Sequence, residues 1–371
     1  MVRIAPEPRK APRGGYLFRG LELAEETADH RTFIMVPEFT GPRLYEFPLL
    51  CWEGSYISGY SLHLNNTLDD GTLIYQAAPK SELLLEPHRP VSVTDAVDAA
   101  ECFRSADVRF RAGTGEPFWP AKGKLIHELF NHLFHSHGDD DKQFPEAYRA
   151  ALPALKEILP GSAMSANEED LERDAKAHFG NLITWLEDNS ERFVSAAMET
   201  DRISTRWGLK GRADAIFRGS DRPLILELKS GRVPVDAHLH QLFAYSLLFS
   251  QNGEPPPDGR VLYSADGRVE TLMDSREGDL RARILEGRNR VVALKHSYIS
   301  KDNEHGPFGD PSSCPRRGKC FNRGACHRLF GAPTGSSPAL AGQEREYYDR
   351  WFRLVSIDIW EMENAFSRVL N

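Results

Sequence analysis

The stretch from Gly208 to Ser230 constrains this chain most, because it has the pattern of a β-hairpin with charged side chains in an apolar setting. Asp214 lies in the first predicted strand, and Glu227 and Lys229 lie in the second. The intervening Arg-Gly-Ser-Asp-Arg-Pro segment is rich in residues that favour turns. Since side chains alternate between the two faces of a strand, Glu227 and Lys229 are predicted to share one face. The hairpin therefore places two carboxylates and one ammonium together at the edge of an apolar sheet.

This charged group predicts metal-dependent cleavage of a phosphodiester. Carboxylate oxygens suit Mg²⁺ or Mn²⁺, and such an ion polarises the phosphodiester and activates water. The Lys229 ammonium is expected to hold the attacking water or to offset charge that develops on the phosphate. The alternative is that Glu-Leu-Lys is an ordinary strand sequence and that Asp214 is solvated or structural, because short motifs are weak signals.

A predicted helix upstream of the hairpin carries a histidine that suits the same site. Residues 123–134 have the apolar spacing of an amphipathic helix, and His127 follows Gly123 by four residues, near the start of that helix. A neutral His127 imidazole would complete a His/Asp/Glu metal site, whereas the alternative is a hydrogen-bonded histidine at a helix surface. A zinc-protease helix is excluded, because His132 follows His127 by five residues and lies on another face.

Downstream of the hairpin, Gln241 and Tyr245 are four residues apart and share one face of a predicted helix. Their polar groups suit a phosphate or a base. The alternative is that both residues border the core of the protein.

Three of the five cysteines are clustered near the end of the chain, with five residues between neighbours. Because the first residues lack a signal-peptide pattern, metal ligation is expected here, not disulfide bonding. Zinc sites use shorter spacings, so the wider spacing favours an iron–sulfur cluster, although zinc stays open at this point. The fourth ligand would come from His327 or from elsewhere. The clustered cysteines are Cys314, Cys320 and Cys326.

In their order along the chain, these motifs resemble the RecB-like branch of the PD-(D/E)XK nucleases. The resemblance covers roughly residues 90–360. It is carried by Gly123–His127, Asp214, Glu227–Lys229 and Gln241–Tyr245. The segments Gly-Lys-Leu-Ile-His-Glu-Leu-Phe and Arg-Trp-Gly-Leu-Lys-Gly-Arg-Ala-Asp are most similar to the nuclease half of the eukaryotic nuclease–helicases that process Okazaki flaps.

The resemblance implies a role for each motif residue. The expected Mg²⁺ or Mn²⁺ ligands are His127, Asp214, Glu227 and the backbone carbonyl of Leu228. Asp214, Glu227 and Lys229 form the expected catalytic set, in which Lys229 positions the nucleophilic water. Gln241 and Tyr245 are expected to contact the DNA strand. Two further acids near these motifs, Glu128 and Glu199, are expected to be solvated or to cap a helix.

The same resemblance implies a 4Fe–4S cluster held by one cysteine before the histidine helix and three after the core. In this sequence the implied ligands are Cys102, Cys314, Cys320 and Cys326. The family separates the first two trailing cysteines by two residues, whereas five separate them here. The implied role of the cluster is structural, because it would join distant parts of the chain.

The predicted architecture is an α/β fold with a PD-(D/E)XK, restriction-endonuclease-like core. Residues 1–14 contain prolines that predict a flexible terminus without regular elements. Residues 15–88 contain several short β patterns, among them separate strands near 71–77 and 81–87, and predict a small OB-like barrel. Residues 89–332 form the predicted nuclease core with the Fe–S cluster, helical from about 90 to 200. Residues 333–371 form a predicted linker and C-terminal helix.

Composition bounds the function without deciding it. The chain has 371 residues, 40% of them hydrophobic, and a formal net charge of −8. Charge is uneven, since residues 201–232 contain eight Lys or Arg against four Asp or Glu, a pattern compatible with a basic channel for a single strand and equally with no nucleic acid. No apolar run reaches the length of a membrane span, and an intracellular protein is expected.

The sequence therefore predicts a metal-dependent nuclease that hydrolyses single-stranded DNA at flaps or free ends. It contains no Gly-x-x-x-x-Gly-Lys-Ser/Thr motif for an ATP-driven motor, so three interpretations stay open: a helicase or translocase is a separate partner, a motor was removed, or the nuclease works alone. One alternative is a non-catalytic subunit that guides DNA in a helicase complex. The other is a zinc-containing structural protein in which Glu-Leu-Lys is coincidental.

Overall fold

A computed structural model describes much of the chain, and its residues group into two compact units. The first unit comprises Met1–Gly113, Ile203–Lys210 and Gly278–Asn371, and the second comprises Thr114–Arg202 and Gly211–Glu277. The described residues are 2–3, 9–10, 16–17, 22–23, 33–37, 56–67, 73–102, 118–135, 140–158, 168–189, 194–219, 222–232, 235–250, 257–272, 277–299, 326, 351, 354, 355, 358, 359 and 362.

The N-terminal part of the first unit is β-structure. Five of its strands form a sheet in the order β4-β1-β6-β7-β5, in which β6 pairs with β7 antiparallel and β5 pairs with β7 parallel, and β2 pairs with β3. The bounds are β1 Val2–Arg3, β2 Arg9–Lys10, β3 Tyr16–Leu17, β4 Glu22–Leu23, β5 Phe33–Pro37, β6 Tyr56–Thr67 and β7 Leu73–Leu85.

Two expectations for this region are wrong. The segment 1–14 was expected to contain no regular element, but β1 and β2 lie in it. Two separate strands were expected near 71–77 and 81–87, but β7 is one strand of 13 residues. β7 stays paired with β6 across two register shifts, which let a long strand bend without a break. Closure of this sheet into an OB-like barrel stays a prediction.

The remaining elements of the first unit are β8 Val91–Ser92, α1 Val93–Glu101 and α6 Glu277–Ile299. The Ser92 side chain accepts the backbone N–H of Asp95 at 3.0 Å and so caps α1. α6 approaches α1 closely at Gly287, where a Cβ atom would lie 2.1 Å from the Ala96 carbonyl oxygen. Only glycine therefore fits at this helix crossing.

The second unit contains a mixed sheet in the order β13-β12-β11-β10, with β9 paired to β10. β10 and β11 form the predicted antiparallel hairpin, β11 and β12 are parallel, and β12 and β13 are antiparallel. β11 is thus an interior strand, and its charged residues lie at its end instead of along a sheet edge. The bounds are β9 Ser195–Ser204, β10 Leu209–Arg218, β11 Leu224–Lys229, β12 Asp258–Tyr263 and β13 Arg268–Thr271.

Helices cover the sheet of the second unit and position its charged end. Leu226 and Leu228 pack into an apolar core with α2 to α4, so Glu227 and Lys229 project from the opposite face. α5 joins β11 to the parallel β12 and packs against Gly259, where a Cβ atom would lie 2.8 Å from Leu242 Cγ. The bounds are α2 Phe118–His135, α3 Asp140–Ile158, α4 Glu168–Asn189 and α5 Asp236–Phe249.

The helical prediction for residues 90 to 200 holds for α1 to α4 but is wrong at its end, where β9 begins at Ser195. None of the described helices has the length and apolarity that crossing a membrane requires.

Candidate active site

The two carboxylates of the site meet where the β10–β11 hairpin opens. The paired register ends at Ala215 and Leu226, and its continuation by one residue sets Asp214 opposite Glu227. Beyond the last backbone pair, Asp214 Oδ2 accepts the backbone N–H of Leu228 at 2.7 Å. The Asp214 side chain therefore replaces a backbone partner and fixes the end of β11 beside it.

Glu227 is the most buried charged group at this site, with 3% of its surface exposed. Its Oε1 atom accepts a hydrogen bond from Lys229 Nζ at 2.7 Å, whereas its Oε2 atom is buried and has no hydrogen-bond partner among the described residues. Burial raises the pKa of Glu227 to about 7, the negative charge of Asp214 adds to this effect, and Lys229 partly opposes it. Glu227 is thus a carboxylate that lacks sufficient positive charge around it.

His127 reaches the site from the middle of α2. The helix begins at Phe118, so the expectation that His127 lies near its start is wrong. His127 Nδ1 lies 3.2 Å from Asp214 Oδ1, and 27% of its side chain is exposed. Burial lowers the pKa of His127, but the charge and hydrogen bond of Asp214, together with the charge of Glu227, outweigh burial and raise the pKa overall.

Lys229 is held from two sides. Its Nζ atom donates to Glu227 Oε1 at 2.7 Å and to Gln241 Oε1 at 2.9 Å. The Gln241 Nε2 atom in turn lies 3.5 Å from the hydroxyl of Tyr245, which is buried. The structure thus brings Gln241 and Tyr245 to the site through Lys229, and their predicted contact with DNA stays a prediction.

A second group of residues, which the sequence analysis did not identify, fixes the backbone of Lys229. The Lys229 carbonyl accepts the Ser264 N–H at 2.9 Å and the Ser264 hydroxyl at 3.2 Å. His178 Nδ1 lies 2.8 Å from Ser264 Oγ. With the Ser264 hydroxyl assigned as donor to the Lys229 carbonyl, the matching assignment makes His178 Nδ1 the donor to that hydroxyl. The Asn181 amide also donates to the Ser264 carbonyl at 2.8 Å.

The sequence does contain a signal for this group. His178 falls on the apolar stripe of α4 with Leu171, Ala175 and Leu182, and its exposure is 1%. A histidine at a core position needs polar partners, because an unpaired buried polar group is costly. Its pKa is lowered mainly by burial and also by the positive charge of Lys122. A neutral His178 is therefore the form that holds Ser264 in place.

His238 on α5 is a further titratable group near Lys229. Its Nδ1 atom lies 3.1 Å from the Tyr263 hydroxyl. Burial, and secondarily the charge of Lys229, lower its pKa from 6.5 to about 4. The unfolded chain therefore binds a proton below pH 6.5 that the folded chain does not bind until about pH 4. Stability from neutral His238 is complete above pH 6.5 and is lost as the pH falls to about 4.

We therefore expect His238→Gln to change how stability depends on pH. Glutamine can still bond to Tyr263 but does not titrate, so the stability of the wild type relative to this variant should fall between pH 6.5 and pH 4. Urea unfolding of both proteins across this range measures the difference. A constant difference would show that His238 titrates normally in the folded protein.

The predicted iron–sulfur ligands are only partly within the described residues. Cys102 follows α1 as its C-terminal cap, and its N–H donates to the Asp98 carbonyl at 2.7 Å. Cys102 and Cys326 are both half-buried. Cys314 and Cys320 lie outside the described residues. The cluster therefore stays a prediction.

Across the described residues, no group of three or more His, Cys, Asp or Glu side chains is arranged to hold a metal ion. The contacts above explain this, since His127 pairs with Asp214 and Glu227 pairs with Lys229. The chemistry of the donors nevertheless fits Mg²⁺ or Mn²⁺, because two carboxylates adjoin and a buried Glu227 oxygen has no donor. A bound cation would neutralise both charges.

A family model matches most of the chain. The model describes the PD-(D/E)XK nuclease superfamily and matches residues 90–355. A comparison with curated proteins gives no match. Among solved structures, the crystal structure of SSO0001 matches with 20% sequence identity and a TM-score of 0.24, covering 54% of this chain and 95% of that chain. A TM-score of this size carries no argument about fold or function.

Proposed function

Because this chain belongs to the PD-(D/E)XK nuclease superfamily, we propose that it hydrolyses phosphodiester bonds of single-stranded DNA, at flaps or free ends, with Mg²⁺ or Mn²⁺. The superfamily implies a phosphodiester-hydrolysing nuclease. The observation that carries the proposal is the cluster formed by Asp214, Glu227 and Lys229 at the end of the hairpin. Its buried Glu227 oxygen without a donor is costly for folding alone and useful for holding a cation.

The proposed metal ligands are His127, Asp214, Glu227 and the carbonyl of Leu228. A bound divalent ion would supply the positive charge that polarises the phosphodiester and lowers the pKa of a water molecule. Asp214 also holds the N–H of Leu228, so the same side chain fixes the strand that offers the carbonyl.

Lys229 is the proposed group that positions water. An ammonium has three N–H donors, and in the described part of the chain Lys229 uses two of them on Glu227 and Gln241. The third donor is left for the attacking water or for a phosphate oxygen. In the reaction, the water oxygen bonds to phosphorus while one ester P–O bond breaks. The products are one phosphate end and one hydroxyl end.

The preference for a single strand and the 4Fe–4S cluster are the finer parts of the proposal. The excess of Lys and Arg between residues 201 and 232 supports a polyanionic substrate. The proposed cluster ligands are Cys102, Cys314, Cys320 and Cys326, with a structural role. A separate helicase or translocase subunit is a proposed partner.

The test uses protein purified without oxygen and end-labelled strands of one sequence, offered as single-stranded DNA, blunt duplex DNA and single-stranded RNA. We expect cleavage of the single-stranded DNA with Mg²⁺ or Mn²⁺, and none in EDTA. Iron and sulfide analysis of the same sample distinguishes a 4Fe–4S cluster from zinc. Binding of the DNA without cleavage under any of these metals would favour the DNA-guiding alternative.

A further inference from the structure

Two cationic side chains, Arg212 and Lys124, lie close in sequence to residues of the candidate active site within the second unit. Arg212 precedes Asp214 by two residues on β10, so both side chains project from the same face of the strand. Lys124 precedes His127 by three residues on α2, so both lie on the same side of that helix. His127 and Asp214 are in contact with each other. The site is therefore bordered by one cation on its strand and one on its helix.

Acids hold both cations in place. Arg212 Nη1 lies 3.2 Å from Glu199 Oε2, and Arg212 Nε lies 3.1 Å from Asp201 Oδ1. Lys124 Nζ lies 2.7 Å from Glu128 Oε1 and 4.0 Å from Glu199 Oε1. Glu199 thus pairs with both cations through its two oxygens. Glu128 and Glu199, expected to be solvated or capping acids, are partly exposed and pair with these cations.

These ion pairs are exposed enough for a phosphate group to replace the acids. The Arg212 side chain is 55% exposed, Lys124 is 39% exposed and Glu199 is 33% exposed. Ion pairs in contact with water contribute little to folding stability. A phosphate group that reached these cations could therefore replace the acids at small cost.

The backbone at Glu199 is strained. Its φ angle is 42°, a left-handed conformation that side chains other than glycine rarely adopt. The first residues of β9 alternate between exposed and half-buried positions, whereas residues 198–200 are all half-buried. Such strain persists only where the surrounding structure imposes it, and it is often found at functional sites. Here the distortion accompanies an acid that lies between two cations.

From these contacts we propose that Lys124 and Arg212 bind the phosphate backbone of the nucleic-acid strand, and that Glu199 occupies them until the strand arrives. This inference rests on the proposed function and deepens it. The planar guanidinium of Arg212 can bind two phosphate oxygens at once, and Lys124 adds a point charge. Because Glu199 pairs with both cations, a small anion that contacts one of them gains little binding free energy. A strand that contacts both cations gains more.

The test measures the binding of a fluorescein-labelled thymidine homopolymer in EDTA, by anisotropy over a series of salt concentrations. Arg212→Ala and Lys124→Ala should each raise Kd and reduce the salt slope by about 0.7, the value for one lost phosphate contact on a single strand. Arg212→Lys should retain most of the slope. Glu199→Gln should lower Kd, because it removes the acid that competes with phosphate.

Arg173→Ala is the matched control, since it removes one exposed arginine that pairs with Asp170 on α4. It should leave Kd and the salt slope unchanged. Wild-type values for both Arg212→Ala and Lys124→Ala, or a higher Kd for Glu199→Gln, would overturn the inference while the nuclease proposal stands. A wild-type protein that neither binds nor cleaves nucleic acid would overturn the nuclease proposal and this inference with it.

Discussion

Glu227→Gln is expected to slow cleavage severely and, in the absence of metal, to make the protein more stable at alkaline pH. Glutamine keeps the size of the side chain and can still accept the hydrogen bond from Lys229, but it cannot offer a carboxylate to a cation. We expect the cleavage rate to fall by about 10³-fold, the scale on which the loss of one preorganised charge-stabilising group acts.

The gain in stability follows from the direction of the Glu227 pKa shift. Burial and the charge of Asp214 raise this pKa from 4.5 to about 7 in the folded protein. The folded state therefore holds a proton that the unfolded state releases above pH 4.5. Glu227 therefore leaves the free energy of unfolding unchanged below pH 4.5 and lowers it progressively as the pH rises from 4.5 to about 7. Above that pH the reduction is constant. The full cost is of the order of 3 kcal/mol.

Urea unfolding in EDTA at several pH values measures this effect. The free energy of unfolding of Glu227→Gln should exceed that of the wild type at pH 8, and the two should converge as the pH falls towards 4.5. Adding Mg²⁺ should stabilise the wild type and not the variant. Glu172→Gln, an exposed change on α4, is the matched control and should alter neither property. Full cleavage activity in Glu227→Gln would contradict the assigned site.

The sequence predicted the hairpin because its information is local. Alternation alone placed Glu227 and Lys229 on one face, and the observed 2.7 Å bond joins them. The spacing of residues in α2 and α5 likewise predicted which side chains share a helix face. The position of Asp214 opposite Glu227 follows from the register of a short hairpin, which the turn fixes.

The contacts that hold the site together could not be predicted in this way. Ser264 meets the Lys229 carbonyl only because β12 lies parallel to β11, and that pairing depends on the whole α5 crossover. His178 is 86 residues away from Ser264 in sequence. The helical prediction also continued past Asn189 into the residues of β9. It fails there because pairing with β10 overrides the local preference for helix. The local sequence pattern thus predicted the candidate reactive residues, whereas the residues that hold them in place depend on long-range pairing of strands and helices.

Arg288 on α6 shows the same dependence on long-range contacts in the first unit, and its loss should have the largest effect on stability there. Its side chain is fully buried. The guanidinium donates to the carbonyl oxygens of Gly208 at 3.1 Å and Arg89 at 3.0 Å, and also to those of Leu85 and Glu86. Burial lowers its pKa to about 9, which is still above neutral pH, so the side chain remains charged.

Arg288 therefore donates to carbonyl groups that precede it in sequence by about two hundred residues, as at Leu85, and by about eighty residues, as at Gly208. Arg288→Met fills a similar volume but removes the hydrogen bond that the guanidinium gives to each of these carbonyl groups, although the Glu86 and Gly208 carbonyls keep the N–H groups of Arg89 and Val91. Because a hydrogen bond to a charged group contributes about 1.5–3 kcal/mol, we expect the loss of these bonds to lower the free energy of unfolding by about 3 kcal/mol or more. Arg288→Lys keeps the charge but has fewer donors in a different geometry, so it should recover only part of that loss.

Thermal and urea unfolding of the wild type and both variants test this expectation. Arg283→Met, an exposed change on the same helix, is the matched control and should cost little. A stable Arg288→Met protein would mean that the cost of burying the guanidinium outweighs its hydrogen bonds, as it does for some buried ion pairs. Loss of stability in Arg288→Met but not in Arg283→Met would instead show that the hydrogen bonds of the arginine stabilise this region. Gly208 directly precedes β10, so this bond holds the carbonyl group at the start of that strand.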